Sequence, residues 1–288
     1  MHRRLVATVL ALTATAAASV AGVASASGTT KAPLRYVALG DSYSAASGVL
    51  PADPAAPPQC LRSTRNYPKV LASKVSTTLV DVTCGAADTD DFFAPQYQNV
   101  PAQLEAVKKD TQLITMTIGG NDSGVFINAI LQCGAAGATS LGQGSPCKDQ
   151  YGSSFETTVK KTTYPSLVKA LKAVRAKAPK AKVGILSYPW IVPTSVGCYP
   201  QMPVATGDVP YLRHLQATLN DAVRRAAAAT GVTYVDLNKV SNGHDACQPI
   251  GVRWVEPVLA GTNPVIVHPN ALGESKMAEQ AIKVLKLG

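Results

Sequence analysis

Aromatic side chains are scarce in this sequence. Tyr, Phe and Trp together make up 6% of its 288 residues, and Trp190 and Trp254 are the only tryptophans. Charged residues account for only 16%, although the balance is basic, with a formal net charge of +9. The lysines behind that balance, among them Lys108, Lys109, Lys160, Lys161, Lys169, Lys172, Lys177, Lys180 and Lys182, fall mostly at helical spacings with no aromatics between them. A nucleic-acid groove needs stacking residues as well as cations, so no nucleic-acid partner is expected. The lysines read as a solvated helix face, with attraction to anionic membranes or cell walls as the alternative. Several short catalytic signatures are also missing. There is no Gly-x-Ser-x-Gly elbow, no His-Glu-x-x-His and no Walker loop, which removes the usual α/β-hydrolase, zinc-protease and phosphate-binding readings. No Cys-x-x-Cys pair and no close Cys/His cluster occurs, so neither a metal nor another cofactor is expected.

What is present begins with a secretory pattern in residues 1–26. His2-Arg3-Arg4 gives a positive start, an Ala/Val/Leu-rich stretch follows, and Ala24-Ser25-Ala26 fits the small-x-small cleavage rule. That core is too rich in Ala, Thr and Ser for a membrane anchor. The expected product is therefore an extracellular, monomeric single domain over residues 27–288, with 46% hydrophobic composition sufficient for a full core. Six cysteines remain: Cys60, Cys84, Cys133, Cys147, Cys198 and Cys247. An even count in an exported chain implies disulfides, although six cysteines allow fifteen pairings. Pairing of sequence neighbours is the simplest arrangement, because each bridge would then close one loop-rich segment.

Apolar runs at 34–39, 78–83, 112–118, 182–187 and 232–237 have strand character. Helical periodicity falls at about 66–76, 101–109, 154–178, 209–230 and 271–286. Such alternation predicts a parallel sheet covered by helices on both faces. Three stretches read as irregular: Pro51–Arg65, Ala135–Gly152 and Tyr188–Gly207. Long loops of this kind are usually functional, and they are expected to form the walls of a substrate pocket.

Chemistry-bearing residues gather where strands end. Gly40-Asp41-Ser42 closes the first run, Cys84-Gly85-Ala86-Ala87 follows the second, and Gly119-Gly120-Asn121-Asp122 follows the third. A serine at the carboxyl end of the first strand faces the crevice in which α/β sheets bind ligands, but it needs a base to become a nucleophile. His268 supplies one, in Val267-His268-Pro269-Asn270 just ahead of the last helix, which Asn270 is suited to cap. Asn121 and the Gly85 N–H are candidate donors to an oxyanion. His214 lies within a helical pattern and His244-Asp245 beside Cys247, so both read as structural. Asp41 reads as a brace of its own turn, and Asp88, Asp90 and Asp91 as an acidic loop.

In these blocks the chain resembles the SGNH (GDSL) hydrolases, specifically the secreted actinobacterial lipases and esterases of that family. Tyr36–Ser44 looks like the first block, Gly85 the second, Gly119-Gly120-Asn121-Asp122 the third and His268-Pro269 the last. The resemblance implies a three-layer α/β/α flavodoxin-like sandwich with a mainly parallel five-stranded sheet. It implies Ser42 as nucleophile, His268 as base, and an oxyanion hole from the Ser42 N–H, the Gly85 N–H and the Asn121 side chain. It also implies sequential disulfides, Cys60–Cys84, Cys133–Cys147 and Cys198–Cys247.

One position departs from the family pattern. The Asp usually found three residues before the histidine is Val265 here. A Ser-His dyad is therefore expected, with the carbonyl of Val265 or Ile266 orienting the imidazole, and with Asp245 and Glu256 as the rival carboxylates. The expected reaction is hydrolysis of acyl esters of lipids, with transient contact to a lipid surface. A carbohydrate acetylesterase, a phospholipase A-type activity and a secreted binding module with a vestigial site are the alternatives. The shortage of aromatic platforms favours lipid over sugar.

Overall fold

The computed structural model describes residues 32–288, so the leader expected over residues 1–26 lies outside the described residues. Five strands, β1 (Leu34–Ala38), β2 (Thr77–Asp81), β3 (Leu113–Met116), β4 (Lys182–Leu186) and β5 (Thr233–Val235), form one all-parallel sheet in the order β2-β1-β3-β4-β5. β3 is buried along its whole length, and β1 and β4 are buried over most of theirs, which is why they read as continuous apolar runs. Edge strand β2 alternates between half-buried and exposed positions.

Helices α1 (Ser42–Ala45), α2 (Tyr67–Lys74), α3 (Val125–Thr139), α4 (Pro146–Tyr151), α5 (Ser154–Thr158), α6 (Tyr164–Lys177), α7 (Val209–Thr230) and α8 (Ala271–Leu285) complete the domain. The step from β1 to β2 runs one way across the sheet, and the steps from β3 through β5 run the other. Right-handed crossovers then put α2 on one face and α6 and α7 on the opposite one. Accordingly α2 packs against α8, and α6 against α7. The expected three-layer α/β/α architecture results. The core includes Tyr36, Leu39, Ile114, Met116, Leu167, Leu171, Ile185 and Met277, all fully buried.

Three sequence expectations change. Residues 101–109 hold only a single 3-10 turn, Gln103–Ala106. The Gln103 side chain is drawn to the backbone of Gly40, and Lys108 and Thr111 close a separate turn. Residues 135–152 are irregular only between α3, which runs through to Thr139, and α4, which begins at Pro146. Gly137 makes α3 unreadable from propensity, yet a Cβ there would lie 2.3 Å from the Pro203 carbonyl oxygen. The glycine permits the close approach of two backbones. The expected helix over 154–178 is interrupted by a π turn at Val159–Thr163, just before Pro165 in the first turn of α6. Proline has no N–H to continue the ladder, and a wider turn accommodates it.

Three disulfides, Cys60–Cys84, Cys133–Cys147 and Cys198–Cys247, staple the connections. No helix of the described residues is long and apolar enough to cross a membrane.

Where α8 faces α2, the fully buried Glu274 accepts the Tyr67 N–H at 2.6 Å. Burial drives its carboxyl well above the usual 4.5, which favours the neutral acid in the fold. A carboxyl that keeps its proton when folded and loses it when unfolded reduces stability as pH rises above about 4.5. Glu274→Gln, which is neutral in both states, should match the parent near pH 4. At pH 8 it should melt roughly 2–4 °C higher, equivalent to about 1 kcal/mol. Equal melting temperatures at pH 8 would show that Glu274 is ionised.

Candidate active site

The chain leaves β1 toward one sheet edge and β3 toward the other, so the gap beyond their carboxyl ends is the switch point at which such folds bind ligands. Gly40 makes the turn out of β1. Its φ is +123°, and a Cβ there would lie 2.3 Å from the Thr117 carbonyl oxygen and 2.6 Å from Ser44 Oγ. Only glycine fits. Asp41 caps α1 by accepting the Tyr43 N–H at 3.0 Å, which leaves Ser42 as the first residue of that short helix. The Ser42 N–H is in the turn where a helix has no internal acceptor to offer.

His268 arrives from the far end of the sequence. Its Nε2 lies 2.7 Å from Ser42 Oγ, and its Nδ1 lies 2.7 Å from the Ile266 carbonyl oxygen. With a proton on Nδ1 donated to that carbonyl, Nε2 is free to accept from the serine hydroxyl. Val265 offers no such carbonyl contact. Its N–H donates to Asn263 Oδ1 at 2.9 Å, and the residue lines the cleft. Burial lowers the His268 pKa below 6.5, a fall that the Ile266 carbonyl only partly opposes. The turn is held on two further sides. The Tyr43 hydroxyl donates to the Val267 carbonyl at 2.5 Å, and the Glu256 N–H to the His268 carbonyl at 2.9 Å.

Neither rival carboxylate touches the imidazole. Glu256 accepts from Arg253 at 2.6 Å, Asn270 at 2.7 Å and the Thr262 N–H at 2.8 Å, and these bonds outweigh burial and hold it below the usual range. Asp245 closes a turn with the Cys247 N–H at 3.0 Å. The other histidines among the described residues make contacts away from this pair. His214 pairs with Glu156, and His244 stacks on Trp254.

The second and third strand-end loops meet Ser42 across the cleft. Asn121 Nδ2 donates one proton to the Ala87 carbonyl at 2.9 Å, leaving its second N–H unclaimed. Gly85 departs from the sequence expectation. Its N–H is already donated to the Cys60 carbonyl, at 2.8 Å. The next residue, Ala86, has a φ of +63° and lines the cleft, and its amide has no acceptor among the described residues. A non-glycine residue held at positive φ is strained, and such strain concentrates at functional sites. The free backbone donor in this loop is therefore Ala86.

Other side chains hold these loops together. Asp122, beside Asn121, accepts from the Thr89 N–H at 3.0 Å and the Thr89 hydroxyl at 3.1 Å, tying the second loop to the third. Its burial lifts its pKa to about 7. Gln103 clamps Gly40 through both its N–H, at 2.7 Å, and its carbonyl, at 3.1 Å. Asp41 is fully buried among the Tyr43 N–H, the Thr117 hydroxyl at 2.6 Å and the Tyr188 hydroxyl at 2.5 Å. Burial raises it to about 6 despite those donors. Around this machinery lies a cleft of about 380 Å³ whose apolar wall comprises Leu61, Tyr97, Phe126, Ile127, Val265 and Val267. No Lys or Arg lines it. Among the described residues, no three His, Cys, Asp or Glu side chains stand close enough together to hold a metal ion.

A serine bonded to an oriented imidazole, beside unclaimed N–H donors in an apolar cleft, defines an acyl hydrolase site. Residues 38–276 match the GDSL-like lipase/acylhydrolase family, and the chain belongs to it. Lipase 2 of Streptomyces coelicolor is 59% identical over 256 residues, covering 88% of this chain and 86% of that protein. Among solved structures, phospholipase A1 from Streptomyces albidoflavus superposes with a TM-score of 0.73 at 28% identity, covering 88% of this chain and 100% of that one. The extracellular lipase of Streptomyces rimosus gives 0.72, also at 28% identity, covering 87% and 99%.

The Cys60–Cys84 bridge holds both the carbonyl that engages Gly85 and the residue that precedes it, whereas Cys198–Cys247 lies outside the cleft lining. Replacing Cys60 and Cys84 by serine should lower kcat at least tenfold, because small misplacements of catalytic groups are costly. Replacing Cys198 and Cys247 should cost about 2–4 kcal/mol of stability with kcat nearly unchanged. Steady-state kinetics and thermal melts on both double variants separate the two effects. Equal kcat in the two would contradict this division.

Proposed function

We propose that this chain is an exported serine hydrolase that cleaves carboxylic esters of lipids through an acyl-enzyme on Ser42. The observation that carries the reading is the 2.7 Å contact between Ser42 Oγ and His268 Nε2, with His268 Nδ1 held by the Ile266 carbonyl. Ser42 Oγ attacks the ester carbonyl carbon as its proton passes to Nε2. The carbonyl oxygen becomes an oxyanion and is stabilised by the Ser42 N–H, the Ala86 N–H and the Asn121 side chain. The tetrahedral intermediate collapses, the C–O bond to the alcohol breaks, and His268 returns the proton to the departing alkoxide. Water, deprotonated by the same nitrogen, then attacks the acyl-enzyme and releases the acid. Ser42 and its proton are restored.

The apolar, cation-free cleft supports a neutral acyl group as the part that is buried, and the similarity to Lipase 2 of Streptomyces coelicolor agrees with it. Export is supported by the leader pattern of residues 1–26 and by the three disulfides.

Three results are expected. Ser42→Ala should lose several powers of ten in kcat while melting normally, and it should no longer react with a fluorophosphonate. More than a few per cent residual turnover would remove Ser42 from the mechanism. Because the base acts only when neutral and burial lowers its pKa, the acid limb of kcat/KM against pH should fall below 6.5. An acid limb above that value would mean a charge-stabilised imidazolium. In a crystal of a phosphonate adduct on Ser42, the phosphoryl oxygen should lie within hydrogen-bond reach of the Ala86 nitrogen. Contact with the Gly85 nitrogen instead would require the Cys60 bond to break.

A further inference from the structure

Tyr188 stands at the start of the connection that follows β4, a strand that contributes nothing else to the reaction proposed above. Its ring is buried, and its backbone N–H is fixed by Asn220 Oδ1 at 3.0 Å. Its hydroxyl bridges two loops. It donates to Asp41 Oδ2 at 2.5 Å and accepts the Gly120 N–H at 2.9 Å. One oxygen thereby joins the residue before Ser42 to the residue before Asn121. Gly120 sits against the phenol so closely that a Cβ there would lie 3.0 Å from the Tyr188 hydroxyl oxygen.

We propose that Tyr188 is a positioning residue that sets the distance between the nucleophile and the Asn121 amide. The proposal rests on the reading of Asn121 as an oxyanion donor and adds the element that holds it in place. The physical reasoning is direct. Gly119 has a φ of +104° and is followed by a second glycine, so the loop has little stiffness of its own. An oxyanion donor contributes only when it is already fixed at the point where charge develops. The Asn121 bond to Ala87 fixes one end of the side chain, and the Tyr188 hydroxyl fixes the backbone immediately before it. Asp41, buried and hydrogen-bonded on its other oxygen by Thr117 and the Tyr43 N–H, keeps the phenol from rotating away.

The test is a double-mutant cycle of Tyr188→Phe and Asn121→Ala on the full protein, using a soluble ester and counting active sites by fluorophosphonate titration. Only folded, reactive enzyme then enters kcat. Asn121→Ala alone should lower kcat by about 10²–10³, the usual cost of one oxyanion donor. Tyr188→Phe alone should lower kcat at least tenfold with KM within about twofold. In the Asn121→Ala background the same change should cost less than twofold, because a residue acting through Asn121 has nothing left to position. A loss of equal size in both backgrounds would overturn the proposal, and so would no loss in the parent. If Asn121→Ala has no effect, the oxyanion reading falls and the positioning role falls with it. Where the Phe variant yields no folded protein, replacing Tyr188 with 3,5-difluorotyrosine retains the hydroxyl and weakens it as an acceptor. It should reduce kcat in the parent and leave the Asn121→Ala variant unchanged; an equal reduction in both would again overturn the proposal.

Discussion

A carboxylate buried away from water is costly unless donors surround it, and the Asp41 carboxylate draws its donors from separate parts of the active site. Tyr43 belongs to the turn that presents Ser42, Thr117 lies just beyond the end of β3 ahead of the Asn121 loop, and Tyr188 comes from the connection after β4. Tyr43 also reaches the Val267 carbonyl with its hydroxyl, and so touches the turn that carries His268. The burial of Asp41 is compensated only when these segments stand together. Networks of this kind are stronger when complete than the sum of their bonds. The rise of Asp41 to about 6 shows that burial still outweighs the hydrogen bonds it receives. Asp41 is thus a structural centre whose satisfaction and whose alignment of the site are the same event.

How much of this was legible in the sequence depended on distance along the chain. Ser42, Asn121 and His268, which the fold brings to one cleft, stood out in the sequence because each sits at the end of a local pattern: an apolar run closed by glycine, or a histidine just ahead of a capped helix. The five strands were readable for the same reason, since continuous burial writes continuous apolar runs. Gln103 and Tyr188 were not, because their partners lie 63 and 147 residues away. Nothing local marks a glutamine that will clamp Gly40. α3 was hidden by its own glycines, one of which exists to let Pro203 approach. The shift from Gly85 to Ala86 has a different cause. Gly85 stood out as the glycine just after the second apolar run and as the match to the family's second block, whereas the fold places a positive φ on its alanine neighbour and ties up the glycine amide with Cys60.

The orienting group on His268 has energetic consequences. A carboxylate at Nδ1 would stabilise the imidazolium and raise the pKa of the base. The Ile266 carbonyl fixes the same tautomer through a dipole alone, so burial prevails and the pKa falls. On this reading the enzyme relinquishes some stabilisation of the charged intermediate and gains a base that stays neutral at lower pH. The Glu256 carboxylate is held by Arg253, Asn270 and the Thr262 N–H. Its backbone, rather than its charge, meets the histidine turn, on both the Val267 N–H and the His268 carbonyl.

That arrangement assigns rigidity and charge to different residues. Glu256 and Arg253 are buried as a pair, and a buried pair is weak evidence for net stability. A dyad without a third charge depends more heavily on geometry, because a neutral carbonyl offers no long-range attraction to recover a misplaced ring. The bracing of this turn by the Tyr43 hydroxyl, the Glu256 backbone and the Asn270 cap follows from that dependence. Loosening any one of these supports would be felt first as a longer Ser42–His268 contact, and only later as a loss of fold.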